Sequence, residues 1–195
     1  VKLIYISTTT VYGKQKKIVN EKLKKKFYKP YNLYSKTKFL AEEKLQKSKI
    51  RGLKFSILRL GTLYGISQNN RYDTVIQKIL KSVKNGKSIV IEKKNYKYKK
   101  SFLSINDGIS AIKYVIKKNL FNGEIFNISG INQSLYEIIE LIKKNKLKLK
   151  LKFTNKKIPG QTPCNISSKK FINKGFKFKD SIKKLLPTIL SSKSF

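Results

Sequence analysis

The sequence has no histidine, no methionine, no tryptophan and a single cysteine, Cys164. Without histidine there is no imidazole base and no His-built zinc site, and one thiol cannot make a metal cage; no metal centre is expected. Cys164 has no partner for an internal disulfide, and a lone thiol suits a reducing compartment, so a cytoplasmic location is expected. No apolar run is long enough to span a bilayer, so no membrane partner is expected. The few apolar residues after Val1 and Lys2 do not make a secretion signal.

Acidic residues are scarce as well. Ten Asp and Glu face 46 Lys and Arg, for a net charge of +36. Such a surface attracts phosphates through counterion release. Yet only three of the basic residues are arginine, the residue of bidentate phosphate and base recognition. The lysines are spread along the whole chain rather than gathered in one arm. Lys, Asn, Ile, Phe and Tyr together are what an AT-rich coding sequence supplies. The charge therefore reads as a solvated lysine surface, with no specific nucleic-acid partner. A Lys-rich nucleic-acid-binding protein is the less favoured alternative.

What is present is enough for a core. The apolar fraction is 39% over 195 residues, which fits one domain or one domain with a small lobe. Leu3 to Ile6 reads as a short buried strand, and residues 14–29 as a Lys-rich loop. Leu40, Ala41 and Leu45 mark one face of a helix that begins near Leu33. Phe55, Ile57, Leu58 and Leu60 make a second buried strand, closed by "GTLYG" at Gly61 to Gly65. Strand, helix, strand is a βαβ unit, and such units build parallel sheets. Further on, Val75 to Val83 reads as a helix ending near Gly86, and residues 88–92 and 101–107 as strands. Asp107 is placed to cap the next helix. Residues 124–129 read as a strand, and Ser134 with Glu137 as a capping box. Residues 147–153 alternate like a half-buried strand. Two last helices flank Gly175, and Pro187 should kink or end the second.

One constellation carries chemistry. Tyr34 and Lys38 are four apart on the first helix and share a face. An ammonium near a phenol favours the phenolate, and a tyrosine so tuned exchanges protons near neutral pH. In a chain this rich in both residues the spacing alone says little; a solvated helix surface gives the same pattern. Order and context give it weight. "IYISTTTVYG", "YSKTKFLAEE", "ILRLGTLYG", "SFLSINDGISAI" and "GEIFNIS" follow one another at sensible distances. In these segments the chain resembles the extended short-chain dehydrogenase/reductases, in particular the NAD-dependent nucleotide-sugar epimerases and dehydratases.

The resemblance covers nearly the whole chain. It implies an α/β fold: an incomplete Rossmann-like parallel sheet, late strands only, with a small α/β substrate-binding lobe. Residues 1–67 would be the C-terminal part of the NAD-binding domain. Residues 68–195 would be mostly the substrate lobe, with about 107–130 returning to the sheet. Thr8 matches the family's catalytic Ser/Thr, Tyr34 its proton-exchanging tyrosine, and Lys38 the lysine that tunes it and binds the nicotinamide ribose. Leu60, Gly61 and Thr62 match the turn beside the nicotinamide, although Gly61 and Gly65 would also serve a plain tight turn. Thr8, Tyr64, Arg71 and Lys100 would face a nucleotide-sugar substrate. Lys100 stands where the family has an arginine on the pyrophosphate; its bland reading is one more surface lysine. Arg71 reads equally as a solvated helix-end residue. The implied cofactor is NAD or NADP, and relatives often pair as homodimers through the helix that carries Tyr34.

The departures matter too. The 4,6-dehydratases carry an Asp-Glu pair just after the catalytic threonine; here those positions are Thr9 and Thr10. Epimerase or reductase chemistry is therefore favoured over dehydration. No Gly-x-Gly-x-x-Gly or Gly-x-x-Gly-x-x-Gly occurs in the 195 residues, and this motif normally holds the dinucleotide pyrophosphate. The chain thus reads as the C-terminal portion of such an enzyme, inactive alone. A degenerate or split-gene remnant of the family is the alternative. Cys164 reads as a small buried apolar residue.

Overall fold

The computed structural model describes residues 1–195 apart from 16, 49–51, 68–73, 146, 159–162 and 192–195. The βαβ unit forms as its periodicity predicts. Strand β1 (Lys2–Thr8) leads through a 3-10 turn at Thr9–Tyr12 and a long loop to helix α1 (Leu33–Ser48), then to β2 (Lys54–Leu60). The two strands pair in parallel, Lys2 beside Lys54 and Thr8 beside Leu60. Strand β6 (Glu124–Ile128) joins the far side of β2, also in parallel, with Ile128 beside Leu60. The sheet order is β1-β2-β6. The central strand is buried almost throughout: Phe55, Ile57 and Leu58 have no exposed surface. Each such side chain contributes about 1.5–3 kcal/mol relative to an exposed one. The outer strand β1 is only half-buried, and Leu3 lies exposed. Its apolar run reads as a buried strand, but among the described residues it pairs with β2 alone, and its first residues face water.

A second sheet holds β3 (Thr62–Tyr64), β5 (Lys100–Ser104) and β7 (Ile131–Gln133). The "GTLYG" segment is therefore a short strand, paired in parallel with β5, rather than only a turn. A third sheet pairs β4 (Ser88–Glu92) with β8 (Lys150–Thr154). Helices α2 (Val75–Lys84) and α4 (Leu135–Lys144) pack over this lobe, and Ile76, Ile79, Ile91, Phe102, Ile139 and Ile142 fill its core. Helix α4 starts with the expected capping box of Ser134 and Glu137. A separate core joins β2 and β6 to helix α3 (Ile105–Lys117) and the short α5 (Lys169–Ile172), around Leu58, Val115, Phe126 and Phe171.

Several local expectations are corrected. Strand β5 ends at Ser104, and Ser104, not Asp107, caps α3 by accepting from the Asp107 amide. Asp107 sits inside the first turn and accepts from the amides of Lys179 and Asp180 at 3.0 and 3.1 Å. It thereby ties the last segment of the chain to α3. Helix α6 (Ile182–Ser191) runs through Pro187. Pro187 lies on the exposed face, where water can take the carbonyl that its missing amide leaves. In α1 the buried residues are Ser35 and Glu42, while Leu40 is exposed. The inward face is thus set by a polar partner, not by the leucines.

Candidate functional site

That partner is Arg59, which points from β2 into the layer beneath α1 and is 1% exposed. Its Nε donates to both Glu42 carboxylate oxygens at 3.0 and 3.1 Å, and its Nη2 to Oε2 at 2.5 Å. Its Nη1 donates to the Tyr28 hydroxyl at 2.9 Å. The guanidinium also lies 4.7 and 5.1 Å from the ring centres of Tyr12 and Tyr28. Burial works against its charge. The hydrogen bonds and charge of Glu42 outweigh this and leave the guanidinium held even more firmly protonated than usual. Ser7, one residue before Thr8, donates its hydroxyl to Glu42 as well. A buried network therefore joins α1 to β1 and β2 where β1 ends.

Sequence reading missed this network. Its signal was an arginine inside the apolar run Ile57-Leu58-Arg59-Leu60, in a chain that otherwise uses lysine.

The network fixes α1 so that its first turns lie over β1. Lys38 reaches across, and its Nζ donates to the Ile6 carbonyl at 2.8 Å. The same ammonium is 4.9 Å from the centre of the Tyr5 ring and 6.0 Å from that of Tyr34. Tyr34 itself is 54% exposed, so its phenol is open to a ligand. Thr8 ends β1 and is buried. Its hydroxyl accepts from the Thr10 amide at 3.2 Å and shares a hydrogen bond with the Thr10 hydroxyl at 3.0 Å. The crowding of hydroxyls thus caps the 3-10 turn and leads the chain away from the strand end.

Leu60 is the in-register neighbour of Thr8. Gly61 follows, its amide donating to Ile128 at 2.9 Å. A Cβ on Gly61 would lie 2.5 Å from the Ser101 hydroxyl, so only glycine fits that crossing. Thr62 opens β3. Thr8, Leu60 and Ile128 stand side by side at the carboxyl ends of three parallel strands. Ligands of open α/β sheets bind at such ends.

The remaining expected residues lie elsewhere. Tyr64 is 1% exposed and packs in the lobe core. Burial and the nearby carboxylates of Asp180 and Asp107 raise its phenol pKa, so it stays neutral. Arg71 lies outside the described residues. Lys100 is not a surface lysine: it is buried in β5 opposite Gln133, bridged to Cys164. Burial lowers its pKa to about 8, and the neighbouring Cys164 only partly offsets this. Cys164 is itself buried and free, its thiol pushed up to about 12 by burial. Among the described residues no group of His, Cys, Asp or Glu is arranged to hold a metal, and no helix is long and apolar enough to cross a membrane.

The structure thus holds a parallel sheet with Thr8 at its carboxyl end and Tyr34 and Lys38 on the helix beside it. Comparison with known proteins gives the family: residues 1–129 match the model of the NAD dependent epimerase/dehydratase family, and the chain belongs to that family. It is 31% identical over 143 residues to GDP-6-deoxy-D-talose 4-dehydrogenase of Aggregatibacter actinomycetemcomitans, a match covering 72% of this chain and 46% of the relative. The chain thus spans about half the length of that curated relative. Its fold is similar to UDP-glucuronic acid 4-epimerase of Bacillus cereus in complex with UDP-glucuronic acid and NAD. That likeness has a TM-score of 0.84 at 26% identity and covers 97% of this chain and 60% of the other. It is also similar in fold to RMD of Pseudomonas aeruginosa complexed with NADPH, with a TM-score of 0.79 at 24% identity, covering 97% and 65%.

Proposed function

We propose that this chain supplies the catalytic helix and substrate lobe of an NAD(P)-dependent nucleotide-sugar epimerase or reductase, which moves hydride at a ring carbinol or ketone. The observation that supports this best is Lys38, which bridges α1 to the Ile6 carbonyl and lies beside the Tyr34 ring, two residues before Thr8 on β1. The names of the curated relative and of the Bacillus cereus epimerase both place their chemistry at C4 of the sugar. Thr9 and Thr10 offer no carboxylate for the proton transfers of dehydration, which supports epimerase or reductase chemistry.

The dinucleotide fits the residues present. Thr8 and Leu60 lie side by side at the strand ends, and Lys38 with the exposed Tyr34 hydroxyl offers donors to a ribose. When bound, the nicotinamide accepts or returns the hydride of the sugar carbon. The chain's own groups do the rest. Tyr34 takes the proton of the reacting hydroxyl and gives it back. Thr8 hydrogen-bonds the same oxygen and orients it. Lys38, anchored on the Ile6 carbonyl, holds the ribose. Leu60, Gly61 and Thr62 would line the nicotinamide side.

The same reading makes residues 1–67, with about 107–130, the dinucleotide side and the rest mostly the substrate lobe. It pairs two copies through α1, whose exposed Leu33 and Leu40 support an apolar contact. It places the enzyme in the cytoplasm, consistent with the free Cys164. The 195 residues carry no glycine-rich phosphate loop, and we propose that alone they hold the dinucleotide weakly and do not turn over. This also leaves room for a vestigial or split-gene role.

The test supplies the glycine-rich half of a relative as a separate polypeptide and follows nicotinamide absorbance together with the sugar product, separated by chromatography, with a nucleoside-diphosphate sugar. Turnover in the mixture, lost by at least about 100-fold in Tyr34→Phe, is expected. Equal rates for both versions would refute the catalytic assignment.

A further inference from the structure

The lobe carries a second surface whose chemistry the catalytic reading does not use. An open dish of about 590 Å³ is lined by Lys93, Lys94, Tyr96, Lys97, Tyr98 and Phe153. Among the described residues its lining is only lysine and aromatic rings, with no carboxylate. Tyr98 is 58% exposed and Phe153 51% exposed. Elsewhere in the chain lysines are spread over the whole surface; here they alternate with rings that water should have driven inward.

The rings are held in place. Phe153 and Tyr96 meet edge to face at 5.2 Å, and Tyr96 meets Tyr136 the same way at 5.6 Å. The loop is shaped by a 3-10 turn at Lys93–Asn95, and the amide of Tyr98 donates to the Asn95 carbonyl. Asn95 is tied to Glu92 by its side-chain amide at 2.7 Å. From the other side Lys14 lies 5.5 Å over the Tyr98 ring. The Phe153 ring is therefore preorganised by its neighbours, while Tyr98 is placed by its backbone turn and by Lys14, which lowers the ordering cost of binding.

We propose that this dish binds single-stranded nucleic acid without sequence preference: bases stack on Tyr98 and Phe153, and Lys93, Lys94, Lys97 and Lys14 receive the phosphates. Every base has a face to stack, and a track of cations beside exposed rings is the general form of single-strand sites. Duplex keeps its bases stacked inside and cannot reach the rings. A free mononucleotide is a poorer occupant. Small-ligand sites bury most of their ligand, and these half-exposed rings form an open floor. The scarcity of arginine, which argues against base-specific readout, is no obstacle to stacking with lysine-phosphate contacts.

Fluorescence anisotropy with a labelled oligothymidine strand, with variants compared at matched salt and the measurement repeated over a salt series, tests this on the whole chain. Tyr98→Ala and Phe153→Ala should each weaken binding by about 5- to 150-fold, the loss of one stacked base. Tyr98→Phe should bind like the parent. The double change Lys93→Ala/Lys94→Ala should flatten the logarithmic salt dependence by about 0.7 per lysine. Lys113→Ala/Lys117→Ala, on the exposed side of α3 outside the dish, should leave ring-dependent binding intact. Tyr98 is solvent-facing, so Tyr98→Ala carries the test even where Phe153→Ala unfolds. Parental affinity in Tyr98→Ala would overturn the proposal and reduce the binding to bulk charge. It would also be overturned by a duplex binding as tightly as the strand. So would a free nucleoside diphosphate that occupies the dish with the same ring dependence and that the strand does not displace.

Discussion

Replacing Arg59 by leucine would remove the guanidinium from beneath α1 and leave the Glu42 carboxylate, 2% exposed, facing Ser7 alone among its former partners. The three bonds from Arg59 to Glu42 and the one to Tyr28 would be lost together. Removing one partner of a buried ion pair costs about 3–5 kcal/mol, chiefly because the other charge stays buried and uncompensated. In a chain of this size that corresponds to roughly 6–20 °C in Tm. Urea unfolding followed by circular dichroism reads it as a lower midpoint at unchanged slope. The double variant Arg59→Leu/Glu42→Leu separates pairing from packing. With both charges gone the desolvation cost vanishes, and stability should return to within about 2 kcal/mol of the parent. The coupling from the double-mutant cycle should then exceed about 2 kcal/mol. A single-variant loss below about 1 kcal/mol would mean the pair is worth no more than a surface salt bridge, and the account of how α1 is held would be wrong. The same cycle bears on function, because α1 carries Tyr34 and Lys38. In the complemented enzyme the double variant should regain stability more fully than rate, since apolar packing does not fix the helix register that brings Lys38 to Ile6.

The other expectations concern single positions. Lys100 has a folded pKa of about 8 against an ordinary 10.5. Between these values the unfolded chain holds a proton that the folded chain has released, so folding stability rises with pH across that window. Below about pH 8 both states are protonated and the full burial cost remains. The parent should therefore gain roughly 3 kcal/mol relative to Lys100→Met as pH climbs from about 8 toward 10.5. Parallel pH–stability curves for the two proteins would refute this. Gly61→Ala should destabilise by about 1–3 kcal/mol, because its Cβ would meet a Ser101 hydroxyl already bonded to Ser129 at 2.8 Å. Adding Ser101→Ala should restore part of the loss in thermal unfolding, and no rescue would place the strain elsewhere. Asp107→Ala leaves the amides of Lys179 and Asp180 without their acceptor. It should cost about 1–3 kcal/mol and speed proteolytic cleavage ahead of α6, whereas an unchanged digestion pattern would count against the tether.

What could be read from the residues, and what could not, divides by the range of the interaction involved. The βαβ unit, the capping box at Ser134 and the helix at Val75 rest on patterns within a dozen residues, and each formed where periodicity put it. The alignment of Tyr34 with Lys38 is local too, since one helical turn fixes it. Choosing the buried face of α1 was not local. Leu40 and Leu45 suggested one face, but burial is decided by Arg59, which is 17 positions from Glu42. The burial of Lys100 was out of reach for a related reason. Among so many lysines one more looks like surface, and only the registers with Gln133 and Cys164 put this one inside. The dish needed three separate pieces to meet: the loop after β4, one residue of β8, and Lys14 from beyond the first strand. Composition saw its lysines and rings only as codon-driven abundance. The physical distinction is that abundance scatters residues over a surface, whereas here Tyr96 and Tyr136 buttress a ring that stays in water. A buttressed, exposed ring such as Phe153 is a cost that folding alone does not explain, and with the exposed Tyr98 beside it this gives the two residues at which bulk charge and a binding surface can be told apart.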